Sequence, residues 1–244
     1  MATQWYFGEV SRTDFIAPNT KLIRLTLPPE VDFQFTAGQF ITLDLPVGEK
    51  RLNRWKSYSI ANAPTGENYL ELCVSKIEDG LGSTYLVDTL NVGDTLKFKG
   101  PEGTFILGDD NPNEIIMICT GTGVVPFRSI LMDKLNKNQF NQKIHLIFGT
   151  RNKENILFQQ DFESIKAKFP SFDYTIVLSR ESDWEGAKGH VHNVYMEKYA
   201  TKTEQRQFYL CGWSKMIDEA VVNIFLKLGY SRNQIIFELY GNNN

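Results

Sequence analysis

Three short runs in this chain combine residue types and spacings that chemistry can use. The first is Cys119-Thr120-Gly121-Thr122-Gly123-Val124-Val125-Pro126-Phe127. It follows a continuous apolar run, Ile115–Cys119, and precedes apolar residues at helical spacing, Phe127, Ile130, Leu131 and Leu135. Glycines at a strand-to-helix turn let backbone approach a pyrophosphate, and a helix start favours its negative charge. Pro126 stands where the full dinucleotide fingerprint has a third glycine, and proline suits a helix's first turn. Alone, such a turn reads equally well as ordinary chain reversal. The second run, Lys56-Ser57-Tyr58-Ser59, puts a cation, an aromatic ring and hydroxyls on one expected strand. Lys56 and Tyr58 then share one face, and Ser57 and Ser59 the other. The third is a basic concentration, Lys50, Arg51, Arg54 and Lys56. It is either a solvated loop or a surface for phosphates or an acidic partner.

The elements that must position these runs differ between the two halves. Up to about residue 108 the pattern has a period of two: Ile23, Leu25 and Leu27, then Ile41, Leu43 and Leu45, then Leu70, Leu72 and Val74. Turn residues separate them, as expected of a closed or nearly closed antiparallel β-barrel. One helix is expected here, from near Ser83 to Leu90. After Asp109-Asp110-Asn111-Pro112-Asn113 the pattern becomes strand–helix alternation. Strands are expected at 144–148, 174–178, 208–210 and 235–237, and helices at 162–169 and 217–228. That alternation implies a doubly wound parallel sheet. The expected organisation is an N-terminal barrel domain, residues 1–108, and a C-terminal α/β domain, residues 109–244.

Composition narrows the function classes. The chain has 244 residues, 42% of them hydrophobic and 23% charged, with a formal net charge of −3. These values suit a globular chain and give no reason to expect nucleic-acid binding. No apolar run is long enough for a membrane span, and the N-terminus lacks a secretory pattern, so cytoplasmic residence is expected. Three cysteines, Cys73, Cys119 and Cys211, make no disulfide framework and no metal spacing. They also cannot supply the four ligands of an all-cysteine iron–sulfur cluster.

Taken together, nine short motifs resemble the ferredoxin–NADP reductase family in the family's own order. They are Ala37-Gly38-Gln39-Phe40, Ser57-Tyr58-Ser59, Leu72-Cys73-Val74, Gly80-Leu81-Gly82-Ser83 and Gly100-Pro101-Glu102-Gly103, then Gly121–Pro126, Phe148-Gly149, Ser179-Arg180 and Leu210-Cys211-Gly212. The resemblance implies an FAD-binding barrel followed by an NADP-binding domain, with ferredoxin or flavodoxin as electron partner. It implies FAD contacts from Lys56, Ser57, Tyr58, Ser59, Val74, Gly80, Gly82, Ser83, Thr84 and Tyr240. Tyr58 stacks on the isoalloxazine, Ser59 lies near N5, and the Gly80–Ser83 turn meets the pyrophosphate. Lys56 replaces the family's usual arginine and offers phosphate a point charge rather than a fork, with Arg54 as the nearest assistant.

For the dinucleotide, the resemblance implies Thr120, Gly121, Thr122, Gly123, Pro126, Arg151, Ser179, Arg180, Cys211 and Gly212. Ser179-Arg180 and Arg151 point to the 2′-phosphate of NADP. Trp184-x-Gly186-x-x-Gly189-x-Val191 is a stretch shared with NADH-linked relatives, and His190 stands where some NADP users carry another arginine. Ser59, Cys211 and Glu238 are the implied catalytic residues. Cys211 shapes the nicotinamide contact without acting as a nucleophile, and Glu238 and Tyr240 echo a Glu-x-Tyr ending, with four residues following here. Lys50, Arg51 and Arg54 are the expected docking patch for an acidic carrier. Rival readings are a free-flavin reductase, a reductase component of an oxygenase, and a non-catalytic dinucleotide-binding subunit.

Overall fold

The computed structural model describes residues 4–108 and 114–240. The chain divides into two compact units, Met1–Leu107 with Arg128–Asp133, and Gly108–Phe127 with Lys134–Asn244. The polar stretch Asp109–Asn113, expected as the boundary, lies outside the described residues, as does the Gly241–Asn244 tail.

The first unit is an antiparallel sheet of six strands: β1 (Tyr6–Ala17), β2 (Thr20–Thr26), β3 (Phe40–Asp44), β4 (Trp55–Ser59), β5 (Tyr69–Ser75) and β6 (Thr95–Glu102). Its order is β4-β3-β6-β1-β2-β5. The two end strands meet through an antiparallel bridge between Ile60 and Leu72 and a 2.7 Å bond from the Ala61 N–H to the Glu71 carbonyl. The sheet therefore closes on itself, as the period of two predicts. The alternating residues Ile23, Leu25, Ile41, Leu43, Leu70, Leu72 and Val74 fill its interior with Val10, Leu96 and Phe98. Glu71, almost fully buried, is held by Arg24 at 2.8 Å and Arg128 at 3.2 Å. Two cations on one desolvated carboxylate offset its burial.

β1 escapes the sequence pattern for a physical reason. Bulges between Val10 and Arg12 and between Phe15 and Ala17 reset its alternation, so no single period runs through it. The basic stretch is not all loop: Arg51–Arg54 forms one helical turn, α1. The expected helix at Ser83 begins two residues earlier, as α2 (Leu81–Thr84), and winds on as a π-turn over Tyr85–Thr89.

The second unit is a parallel sheet: β7 (Glu114–Thr120), β8 (Ile144–Thr150), β9 (Phe172–Leu178), β10 (Ala187–Lys188), β11 (Arg206–Gly212) and β12 (Ile235–Leu239), in the order β10-β9-β8-β7-β11-β12. The reversal of direction at β7 makes this the doubly wound arrangement. The helices are α3 (Val125–Lys137), α4 (Gln159–Lys168), α5 (Val191–Lys198) and α6 (Ser214–Val222), the last continuing as a π-turn over Asn223–Lys227. α4 therefore starts three residues before the expected Phe162 and stops short of Phe169. α5 was not legible, because its valines, histidine, asparagine and tyrosine are weak helix formers. Burial of Val191 and Tyr195 against the sheet holds it instead.

Under α5, the buried His145 ring meets the Tyr199 hydroxyl at 2.6 Å and the Thr175 hydroxyl at 2.8 Å. Burial, reinforced by Lys198 and Lys166 and only partly opposed by Asp173, pushes its pKa down to about 4. The unfolded chain therefore binds this proton near pH 6.5 and the folded one near 4. Stability should fall as pH drops through that window, by about 3 kcal/mol if the whole shift is expressed. His192, also lowered, first by burial, acts in the same direction. His145→Gln should flatten most of the slope of unfolding free energy between about pH 6.5 and 4; an unchanged slope would place the titration elsewhere.

Candidate active site

In the first unit, β4 pairs with β3 so that Lys56 faces Leu43, Ser57 faces Thr42, Tyr58 faces Ile41 and Ser59 faces Phe40. Lys56 and Tyr58 share one face, as expected, and because Leu43 and Ile41 are core residues that face is the core side. Tyr58 packs on that core, and burial raises its pKa, so the phenol stays neutral. On the other face the Ser57 and Thr42 hydroxyls lie 3.0 Å apart, and Thr42 donates to Glu102 at 3.1 Å. Ser59 is buried at the strand end.

The Lys56 ammonium donates to the Leu52 carbonyl at 3.0 Å, and its stem crosses Gly82 so closely that a Cβ there would lie 2.9 Å from Lys56 Cγ. Gly82 is thus required for α2 to approach β4. Ser83 turns inward: its hydroxyl accepts from the Ile77 N–H at 3.0 Å and donates to the Gly80 carbonyl at 3.1 Å. Its side chain holds the turn, and a pyrophosphate would be met by backbone. The N–H groups of Leu81, Gly82 and Ser83, at a helix start, lack intrahelical acceptors. Thr84 closes the turn through its N–H to Gly80 at 2.9 Å. The Val74 side chain belongs to the barrel core, which leaves only its backbone for a cofactor.

Arg54 has a partner inside the barrel. Its guanidinium sits 2.7 Å from Asp44, a carboxylate 6% exposed, so part of its charge is answered within the barrel. Arg51 lies over the Trp55 ring at 4.7 Å. Lys99 approaches the same ring at 5.2 Å, and Lys97 covers Trp5 at 4.6 Å. These two lysines are over forty residues from the basic run and reach it because β6 pairs with β3.

In the second unit, register aligns Phe148, Cys119, Cys211 and Glu238 in one row across β8, β7, β11 and β12. Register partners in a parallel sheet project to the same face. Cys211, Glu238 and Tyr240 are therefore brought together, and the Cys211 thiol hydrogen-bonds with Tyr240. Complete burial, then the neighbouring Glu238 carboxylate, holds the Cys211 pKa well above 9. A thiol so placed is neutral and no nucleophile.

At the strand ends, two turns pack backbone on backbone. A Cβ on Gly123 would lie 2.3 Å from the Cys211 carbonyl oxygen, and one on Gly212 would lie 2.7 Å from the Thr120 hydroxyl. Gly212 also adopts φ +134°. The Thr120 hydroxyl accepts from the Trp213 N–H at 3.4 Å. Gly121 to Val124, with Thr122 between, forms a tight 3₁₀ turn that feeds α3, with Pro126 in its first turn. The turns after β8 and β9 are joined by the Ser179 N–H to Thr150 at 3.1 Å and the Arg180 N–H to Arg151 at 2.9 Å. Arg151 and Arg180 are exposed. Their neighbours Glu181 and Asp183 are held by Lys153 at 3.2 and 3.1 Å. Among the described residues neither guanidinium has an ion-pair partner, which leaves two cations on adjacent turns. Beyond β9, Trp184 lies against Gly186, where a Cβ would meet its ring nitrogen at 2.4 Å, and Gly189, at φ +90°, leads through His190 into α5.

A closed antiparallel barrel with a glycine turn at a helix start, and a doubly wound sheet with a second such turn, define an oxidoreductase that joins a flavin to a nicotinamide dinucleotide. Comparison with known proteins agrees. Residues 8–106 match the oxidoreductase FAD-binding domain model, and residues 117–221 match the oxidoreductase NAD-binding domain model. The ferredoxin–NADP reductase B of Sorangium cellulosum is 32% identical over 85% of this chain and 86% of its own length. The reductase component of a phenol 2-monooxygenase from a Pseudomonas strain is 29% identical over 96% of this chain, which spans 65% of that relative. An Amycolatopsis cytochrome P450 reductase superposes with a TM-score of 0.86 at 26% identity, over 97% of this chain and 70% of that one. The chain belongs to the ferredoxin–NADP reductase family and is an FAD- and nicotinamide-dinucleotide-dependent flavoenzyme.

The contrast between two neighbouring glycines gives a test. Around Gly121, at φ +54°, a Cβ meets open space, whereas Gly123 has none. Gly121→Ala should cost about 1 kcal/mol of stability through backbone strain. Gly123→Ala should force the turn off β11 and lower kcat/KM for the dinucleotide more than about tenfold with FAD content retained. Equal kinetics for the two variants would mean that the turn does not position the dinucleotide.

Proposed function

We propose that this chain carries electrons from NADPH, through FAD, to a small acidic one-electron carrier, ferredoxin or flavodoxin. Residues 1–108 form the flavin domain and 109–244 the nucleotide domain. The observation that carries the reading is the order of groups along the ends of the parallel strands. Arg180 and Arg151, without an ion-pair partner among the described residues, come first, then the Thr120–Gly123 turn, then Cys211-Gly212 beside Glu238 and Tyr240. Phosphate, pyrophosphate and nicotinamide chemistry each find a matching group in sequence.

The residues divide the work. Arg180 and Arg151 bind the 2′-phosphate, for which the guanidinium fork is suited. The glycine turn and the start of α3 hold the pyrophosphate. Cys211, neutral and buried, shapes a dry contact for the nicotinamide. Glu238 stabilises positive charge or holds a proton beside it, with Tyr240 on the same face of the sheet. Lys56 neutralises a flavin phosphate, Tyr58 stacks, and Ser59 offers a hydroxyl near the reacting ring. Bound FAD takes a hydride as an electron pair and releases electrons singly.

A relative matched over 85% of this chain and 86% of its own length is named a ferredoxin–NADP reductase, which supports a separate carrier. A second reading, reductase to an oxygenase, is supported by the phenol monooxygenase component. Among the described residues no helix is long and apolar enough to cross a membrane; the cytoplasm is the proposed site of action. Steady-state turnover with NADPH and NADH against ferredoxin, flavodoxin and free flavin separates these readings, and efficient turnover with free flavin alone would reject the carrier.

Coenzyme choice has its own test. Arg180→Ala should raise the NADPH KM roughly ten- to a hundredfold, the weight of a lost charge-assisted bond, and leave the NADH KM within about twofold. Equal effects would make Arg180 a surface residue. For the carrier, Arg51→Glu should slow association at low salt and leave NADPH-to-dye turnover intact. Arg54 is unsuitable for that reversal, because it would strand the buried Asp44 carboxylate. Unchanged association with the Arg51 variant would move docking away from α1.

A further inference from the structure

The stretch that ends α6 is apolar on nearly every side. Seven of the nine residues Ala220–Leu228 are apolar. Ala220 and Ile224 lie in the core beneath the helix with Met216 and Ile217. Val222, Phe225 and Leu226 are instead 46%, 44% and 68% exposed. The winding explains this outward set. Over Asn223–Lys227 it is a π-turn, which takes more residues per turn than an α-helix, so Phe225, Leu226 and Lys227 all reach the outside. The apolar surface continues onto β12, the last strand of the sheet. Ile235 packs beneath α6, and Phe237 and Leu239, which follow it on the same face, are exposed. A helix that is apolar all round is expected to be covered on both sides, and an open patch of this kind marks an interaction surface.

Charge selects the occupant. Asp218, Val222 and Leu226 recur every fourth residue and form one outward stripe. The stripe begins acidic, at Asp218 and Glu219, and ends basic, at Lys227, with Arg232 over the Phe237 ring at 5.0 Å. Lys215, a turn further back, is drawn over the exposed Trp213 ring at 5.5 Å. Among the described residues Asp218, Lys227 and Arg232 have no ion-pair partner. An acidic carrier would be repelled at the Asp218 end. A second copy of this chain, laid antiparallel about a two-fold axis at Val222, meets its opposite at both ends. Asp218 and Lys227 stand four and five residues from Val222, about 6 and 7.5 Å along the helix.

We infer that this chain self-associates through α6 and its π-turn. Val222 and Leu226 of one copy pack on those of the other, and Asp218 of each faces Lys227 of the other. A face of this length with the β12 rim is at the small end of specific interfaces, so the dissociation constant should be on the order of micromolar. Leu226 lies about 18 Å along the helix from Ser214, which leaves the turns at the strand ends open.

Sedimentation velocity of the FAD-loaded protein from about 1 to 100 μM tests this. The parent should pass from monomer to dimer within that range. Leu226→Glu should raise the dissociation constant more than about tenfold, with melting temperature and NADPH-to-dye turnover unchanged. Asp218→Lys and Lys227→Glu should each weaken the dimer about three- to tenfold. The double variant, which restores opposite charges across the axis, should return it to within about twofold of the parent. A parent that stays monomeric throughout overturns the inference, as does a dimer that Leu226→Glu leaves intact. Single reversals that weaken the dimer without rescue in the double variant also overturn it, because the helices then do not cross antiparallel. A monomeric parent in which Leu226→Glu slows electron transfer to a protein acceptor would assign the face to that acceptor instead.

Discussion

The contact on which the nucleotide half depends is backbone against backbone: the turn at Gly123 lying on Cys211 and Gly212. With a Cβ at 2.3 Å from a carbonyl oxygen, no other residue fits without moving one turn off the other. That approach fixes the Thr120 hydroxyl under the Trp213 N–H and sets Gly212 at a positive φ. It also closes the space beneath the strand ends, so that the row from Phe148 to Glu238 is packed and Cys211 is dry. The burial that keeps the thiol neutral and the exposure that leaves Trp213 open are two sides of one packing decision.

Charge is organised by the same distinction between committed and available groups. Arg24 and Arg128 answer Glu71, Arg54 answers Asp44, and Lys153 answers Asp183 with its ammonium and Glu181 with its backbone N–H. Each pair satisfies a carboxylate that would otherwise be desolvated or would repel a phosphate. Arg151 and Arg180 remain, on turns tied together by their own backbone. A cation cluster therefore reads as function only after its neighbours have been accounted for. On the barrel, Arg51, Lys97 and Lys99 lie over indoles; Lys99 also pairs with Glu102 at 2.5 Å and Lys97 with Asp44 at 3.7 Å, which leaves Arg51 as the one of the three without an ion-pair partner among the described residues.

Much of the architecture was legible along the chain because burial imposes a period. Alternation in Ile23–Leu27, Ile41–Leu45 and Leu70–Val74 marked a barrel, and the unbroken apolar run Ile115–Cys119 marked a strand covered on both faces. Where two physical demands compete, the period is lost. β1 hides behind two bulges, and α5 is a helix of poor helix formers that exists because the sheet face needs Val191 and Tyr195. The partner of Arg54 was illegible for a similar reason: Asp44 and Arg54 meet only when β3 and β4 pair.

What the sequence by itself determined is the set of groups with unavoidable local consequences: glycines where backbone must come close, Pro126 at a helix start, alternating or continuous apolar runs, and too few cysteines for an all-cysteine cluster. What only the tertiary structure decided is which groups remain free to act. Register across four strands put Cys211 beside Glu238, the pairing of β3 with β4 and β6 engaged Arg54 and recruited Lys97 and Lys99, and the meeting of two turns exposed Trp213. The physical reason is range. Backbone conformation and burial period are written within a few residues, whereas ion pairing, desolvation and exposure depend on neighbours tens of residues away in the chain.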